Sequence, residues 1–334
     1  MRRLPLLWGL CCVLLTAASA AAVADERIIF NSVPSPLPGN VASEGPEAYA
    51  YSEIGDAIVF PKGTGGTLTT VTVVMSSWGC TSGNWFTAGT CVTNPKGATF
   101  SQPITMNIYA VDNSNSAQPK AAAGPPLATV TQTFDIPYRP SSDTAHCPGV
   151  APDQLGQQWF NPKDGQCYHG LAKAITFDFA GKKLSLPSQI LVGIAFNTTD
   201  AGPSPIGDKP CRHTAQGCPY DSLNVSTDGD VFFGAGATAG GFPTASSVLD
   251  PNGIFFNYIS NSGPPNTCNK TTPTGTLVDD TTPSNGEPAT ETCFTGYHPE
   301  LIIRAKCGDD DQALCPAVIG GQVKSDDDHH DEDH

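Results

Sequence analysis

Thr70-Val71-Thr72-Val73-Val74-Met75 alternates strictly enough to place Val71, Val73 and Met75 on one face and Thr70, Thr72 and Val74 on the other. Successive side chains of a strand point to opposite sides, so this pattern makes a half-buried β-strand. The same period of two recurs along the chain. Ile104, Met106 and Ile108 oppose Thr105, Asn107 and Tyr109, and Val130, Phe134 and Ile136 oppose Thr129, Thr131 and Thr133. Ile175, Phe177 and Phe179 follow, then Ile190, Val192, Ile194 and Phe196, and finally Leu301, Ile303 and Ala305. Shorter strands are expected at Ile28–Val33, Ala57–Phe60, Val231–Phe233 and Ile254–Tyr258. About ten strands and no long helical period predict an all-β chain, a two-sheet antiparallel sandwich of jelly-roll or immunoglobulin-like topology. Composition agrees, because 34 Gly and 30 Pro against only 15% charged residues describe turns and extended segments.

Long loops separate these strands, and four of the five cysteine pairs fall in or beside them. Ten of the 12 cysteines lie beyond the N-terminus, in five close neighbours: Cys80 with Cys91, Cys147 with Cys167, Cys211 with Cys218, Cys268 with Cys293, and Cys307 with Cys315. Nearest-neighbour pairing would close one irregular loop per bridge, each stabilising by about 2–4 kcal/mol. Structural zinc usually takes C-x₂₋₄-C knuckles, and the pairs here are spaced too widely for them. An exported context favours disulfides. Arg2 and Arg3 precede an apolar run from Leu4 to Leu15 and small residues that suit cleavage after Ala20 or, preferably, Ala24. That run is shorter than the roughly 20 residues of a membrane span. The expected organisation is a signal peptide over 1–24, one domain over 25–307 and an acidic, disordered tail over 308–334.

Charge narrows the partners. The net charge is −15, and removing Arg2 and Arg3 with the leader takes it to −17. Such a chain is repelled by phosphate backbones and anionic lipid, which argues against nucleic-acid binding. No second apolar stretch predicts membrane insertion. The expected setting is extracellular, with glycans or surface and matrix components as partners.

A resemblance adds to this reading. Gly55-Asp56-Ala57-Ile58-Val59-Phe60, then Gly63-Thr64, Leu68 and Met75-Ser76-Ser77-Trp78, resemble a group of uncharacterised secreted proteins, chiefly bacterial. Pro103–Tyr109, Phe134–Pro140 and Pro219–Val225 extend it over roughly Gly55 to Val225. The resemblance implies a β-sandwich and carries no activity with it.

Sugar rings stack their C–H faces on aromatic side chains, so Trp85, Tyr109, Tyr138 and Trp159, with Trp78 and Tyr168, are the candidate ligand contacts. The competing expectation is that these rings cover small satellite cores. In Pro137-Tyr138-Arg139-Pro140 two prolines fix the backbone, and the guanidinium is expected to pair with Asp143 or Asp135, an anion site being the alternative. Asp56 and Asp178 read as residues at strand edges, suited to turns or to metal ligation. Asn224-Val225-Ser226-Thr227-Asp228-Gly229 resembles the start of a calcium loop, but Ala235 stands where the bidentate Glu is required, so it reads as a glycine turn. No cofactor is required; calcium held by loop carbonyls and carboxylates is compatible with the fold. His329, His330 and His334 in the acidic tail are candidate ligands for a transition metal, against a simply solvated tail.

Catalytic signatures are weak. No G-x-S-x-G elbow, H-E-x-x-H pair or P-loop occurs. His146 with Asp143, or His169, could join a third group in space, and Asp135, Asp178 and Asp221 are carboxylates from which a glycosidase pair might be drawn. The leading expectation is a non-catalytic binding protein that recognises carbohydrate. The alternatives are a polysaccharide-active glycoside hydrolase and a structural or adhesive surface component. Asn197, Asn224 and Asn269 open N-glycosylation sequons.

Overall fold

The structure is a computed structural model that describes residues 25–46, 51–60, 66–83, 85, 90–114, 120–148, 158–196, 223–228, 247–248, 254–258, 277–279 and 298–307. In chain order the strands are β1 (Asp25–Asn31), β2 (Ser43–Glu44), β3 (Tyr51–Val59), β4 (Thr67–Ser77), β5 (Thr99–Tyr109) and β6 (Val111–Asp112). Then come β7 (Lys120–Ala121), β8 (Ala128–Pro137), β9 (Trp159–Asn161), β10 (Gln166–Tyr168), β11 (Leu171–Asp178) and β12 (Gln189–Phe196). The last are β13 (Leu223–Asp228), β14 (Ser247–Val248), β15 (Phe255–Tyr258), β16 (Val278–Asp279), β17 (His298–Pro299) and β18 (Leu301–Cys307). The protein is all-β, and every pairing between these strands is antiparallel.

One sheet has seven strands and runs β1-β18-β4-β13-β17, with β11 also on β4 and β2 on β13; it curls into a half-barrel. β4 is its axis. Its residues pair with β11 from Leu171↔Ser77 to Asp178↔Thr70, with β18 from Leu301↔Val73 to Lys306↔Thr67, and with β13 at Val225↔Met75. The other sheet has nine strands in the order β6-β7-β16-β15-β3-β12-β5-β8, with β14 also on β3. The chain passes repeatedly from one sheet to the other, as in β3, β4 and β5. Both sheets turn apolar residues into one buried cluster that includes Val71, Val73, Met75, Ile303 and Phe177 from the first and Ile54, Met106, Ile190 and Ile194 from the second. The apolar residues of each alternating strand therefore fill a shared interior, as the period of two requires.

Two of the five expected bridges form, Cys80–Cys91 and Cys147–Cys167. Cys211, Cys218, Cys268, Cys293 and Cys315 lie outside the described residues, as do the expected leader over 1–24, the strand expected at 231–233, Asp221, Asn197, Asn269 and the tail with His329, His330 and His334. Of Cys307 only the backbone, in β18, is described.

Two expectations are corrected. Asn224–Asp228 is not a turn but belongs to β13, because Leu223 and Val225 are buried and pair across to β4, while the Asn224 amide bonds the Ser43 hydroxyl. Asp56 is not at a strand edge. It sits within β3, 1% exposed, with one carboxylate oxygen 2.9 Å from His298 Nδ1 and the other accepting the Ala57 N–H. β3 belongs to the nine-stranded sheet and β17 to the seven-stranded one, so this pair ties the two sheets through the interior. Asp178 does behave as a ladder end: its carboxylate accepts the Ala180 N–H where the chain turns into the 3-10 segment Ala180–Lys182. Among the described residues no helix is long and apolar enough to cross a membrane, and no group of three or more His, Cys, Asp or Glu is placed to hold a metal ion.

Candidate functional site

The end of β4 and the start of β11 lie side by side at Ser77 and Leu171, and the start of β5 meets the end of β8 at Thr99 and Pro137. Loops join these two ends of the molecule. The Arg139 N–H donates to the Gly79 carbonyl, the Ser142 N–H to the Cys91 carbonyl, and the Thr93 hydroxyl to the Arg139 carbonyl. The Cys80–Cys91 loop is thereby held against the segment after β8. Within that loop Gly83 takes φ 71, in the left-handed region open to glycine, and a Cβ there would collide with the Thr90 carbonyl.

Aromatic rings collect at this end. Trp78 and Trp85 meet edge to face at 4.7 Å between centroids, and Trp78 stacks on His169 at 5.5 Å and 9°. All three side chains are half-buried. Gly170 makes this arrangement fit, because a Cβ on it would strike the Ser76 hydroxyl and the Trp78 indole. The Trp78 indole N–H donates to that hydroxyl at 2.8 Å, which fixes the ring's tilt.

The remaining candidates separate. Trp159 is only 5% exposed, packs on Tyr168 and donates its indole N–H to the Gly170 carbonyl at 2.6 Å. Its single polar atom is already used, as in the alternative of a ring covering a small satellite core. Tyr168 is tethered through its hydroxyl to Asp164. Tyr138 packs on Phe100. Tyr109 lies on the nine-stranded sheet, where its hydroxyl donates to the Glu53 carboxylate at 3.1 Å. Asn107 binds the same carboxylate at 2.8 Å. Burial raises the Glu53 pKa against the opposing effect of these two bonds, and burial together with the Glu53 charge raises that of Tyr109. Of the six aromatic candidates, Trp78 and Trp85 make a half-buried edge-to-face pair, and His169, read from the sequence only as a remote catalytic candidate, joins them.

Arg139, whose backbone N–H bonds the carbonyl of Gly79 next to Trp78, is fully buried. The expected carboxylate partners go elsewhere. Asp143 caps its own turn, accepting the N–H groups of Ala145 and His146 and meeting His146 Nδ1 at 2.8 Å, while Asp135 accepts from Ser101. Both serve neighbours close in sequence or register, which cost less entropy to hold than a distant guanidinium. Arg139 is left with the Pro140 carbonyl and the Ser142 hydroxyl, each at 3.3 Å, and its Nη1 is buried with no partner. Burial lowers its pKa to about 10, so it remains a cation at neutral pH. His169 Nδ1 is likewise buried and unpartnered. Burial, followed by the Arg139 charge, lowers the His169 pKa, which keeps the imidazole neutral at pH 7.

Chemically this end offers two ring faces, a neutral imidazole and an uncompensated guanidinium. Of the catalytic candidates, His146 is exposed, stacked on Phe160 and paired with Asp143 as a turn cap. Asp135 and Asp178 each serve local bonds. Compared with family models, curated proteins and solved structures, the chain matches none of them.

Proposed function

We propose that the chain is a secreted, non-catalytic binding protein, built as a two-sheet sandwich, that recognises carbohydrate at the end carrying Trp78 and Trp85. The observation behind this reading is the half-exposed edge-to-face tryptophan pair, with His169 stacked beneath it. Two rings set nearly at right angles, 82° apart, offer an apolar corner to the C–H face of a sugar. A pair of this kind held by a disulfide loop is preorganised, which reduces the ordering cost of binding.

Compartment and architecture are supported by separate features. Two disulfides suit an oxidising environment. Asp25, which would become the first residue after cleavage at Ala24, opens β1. The shared buried cluster and the Asp56–His298 contact support the sandwich.

The test is binding of the oxidised chain to a panel of soluble and insoluble glycans, with sugar release assayed in the same samples. Trp85→Ala should weaken binding about tenfold or more while the thermal midpoint stays close to that of the parent, as expected for loss of an aromatic anchor. Release of sugar would instead favour the glycoside hydrolase. Absence of both binding and release would favour an adhesive protein-binding component.

A further inference from the structure

We infer that Arg139 and His169 form a receptor for a carboxylate, and that the sugar recognised at Trp78 and Trp85 is therefore a uronic acid; the second clause rests on the proposed carbohydrate reading. A guanidinium presents five N–H donors, and Arg139 uses them on two neutral acceptors at 3.3 Å, at the long end for hydrogen bonds. Burying a cation without a counter-charge is costly, and proteins normally offset it with a carboxylate. None of the described residues supplies one. Both carboxylates near it in sequence are committed elsewhere, Asp143 to its turn and Asp135 to Ser101.

A second unused polar atom lies close by. His169 Nδ1 is buried and unpartnered, and His169 stacks on Trp78, whose neighbour Gly79 accepts the Arg139 backbone N–H. A carboxylate accepts from two donors at once, so one such group can satisfy Nη1 of Arg139 and an N–H at Nδ1 of His169 together. The aromatic corner is contiguous with it, since His169 is the ring on which Trp78 stacks. The net charge of −15 repels dense polyanions, which selects for an isolated carboxylate on a sugar over a heavily charged polymer.

The experiment titrates the oxidised full chain with D-galacturonic acid, D-galactose and acetate, following the His169 ring resonances by NMR and affinity by calorimetry. Galacturonic acid should bind at least about tenfold tighter than galactose, the scale of one charge-assisted pair, and should move the His169 resonances; acetate should compete with it. Arg139→Gln should remove that preference, and His169→Gln, which leaves the buried cation in place, should weaken it. The NMR readout on the unsubstituted chain decides the matter even if Arg139→Gln fails to fold. Equal binding of both sugars with His169 unmoved would overturn the carboxylate receptor and leave the carbohydrate reading standing. Acetate moving His169 while neither sugar binds would keep the receptor and overturn the carbohydrate reading. If none of the three binds, both fall.

Discussion

Glu53 shows how one buried side chain can be held without a cation. It is 5% exposed on β3, bonded by Asn107 and Tyr109 from β5, and it lies over Gly193 of β12, where a Cβ would collide with its carboxylate. Asn107 in turn accepts from Thr129 on β8, so one polar row crosses four strands. Since burial raises the Glu53 pKa, the folded state holds its proton more tightly than the unfolded chain does. Stability from this group is therefore fully present below the ordinary carboxyl pKa and is lost as pH rises through the raised folded value. Glu53→Gln keeps an acceptor for Asn107 and Tyr109 and removes the charge. The thermal midpoint should rise by about 2–4 °C at pH 7.5 and change little at pH 4, measured by circular dichroism. An equal shift at both pH values would show that titration of Glu53 is not the cause. Arg139 is the opposite case, a buried charge whose neighbours leave it an open donor.

At the scale of elements, strands with clean alternation were legible and their partners were not. Thr70–Met75, Ile104–Ile108 and Ile190–Phe196 read correctly because one face of each is buried in the common core. β13 was misread because Ser226 and Thr227 are buried polar residues, and Ser76 and Ser77 interrupt the apolar pattern of β4 in the same region. Nothing local signals that β4 lies beside β11, β13 and β18, since those pairings depend on contacts far apart in sequence. The site was half legible: Trp85 stood out as an aromatic in a cysteine loop, whereas the isolation of Arg139 depends on where Asp143 and Asp135 spend their hydrogen bonds. The disulfide framework was readable from spacing for Cys80–Cys91 and Cys147–Cys167. Its role at the site can be tested directly. Replacing Cys80 and Cys91 together by Ser should cost about 2–4 kcal/mol in urea denaturation and also abolish the Trp85-dependent glycan binding. Unchanged binding by the folded variant would mean that the loop does not need its bridge to hold Trp85 against Trp78.

Across the whole molecule, two large sheets share one apolar interior, and an apolar interior specifies little about how the sheets are set against each other. The Asp56–His298 contact supplies a directional constraint. Both side chains are 1% exposed, and they come from strands of different sheets whose positions are 242 apart in the chain. β17 carrying His298 runs through Glu300 into β18, which pairs with β1 as well as β4, so the same segment also ties down the N-terminal strand. Removing one member of a buried hydrogen-bonded pair strips the other of that bond where water cannot replace it. His298→Ala should therefore cost about 3–5 kcal/mol, and Asp56→Ala a similar amount. The double variant should cost clearly less than the two losses added, because the second substitution removes a group already deprived of this contact. If the pair sets the relation between the sheets, each single variant should unfold in one transition seen equally by tryptophan fluorescence and far-ultraviolet circular dichroism. Additive losses would instead mean that Asp56 and His298 stabilise their own sheets independently, with the apolar interior alone holding the two together.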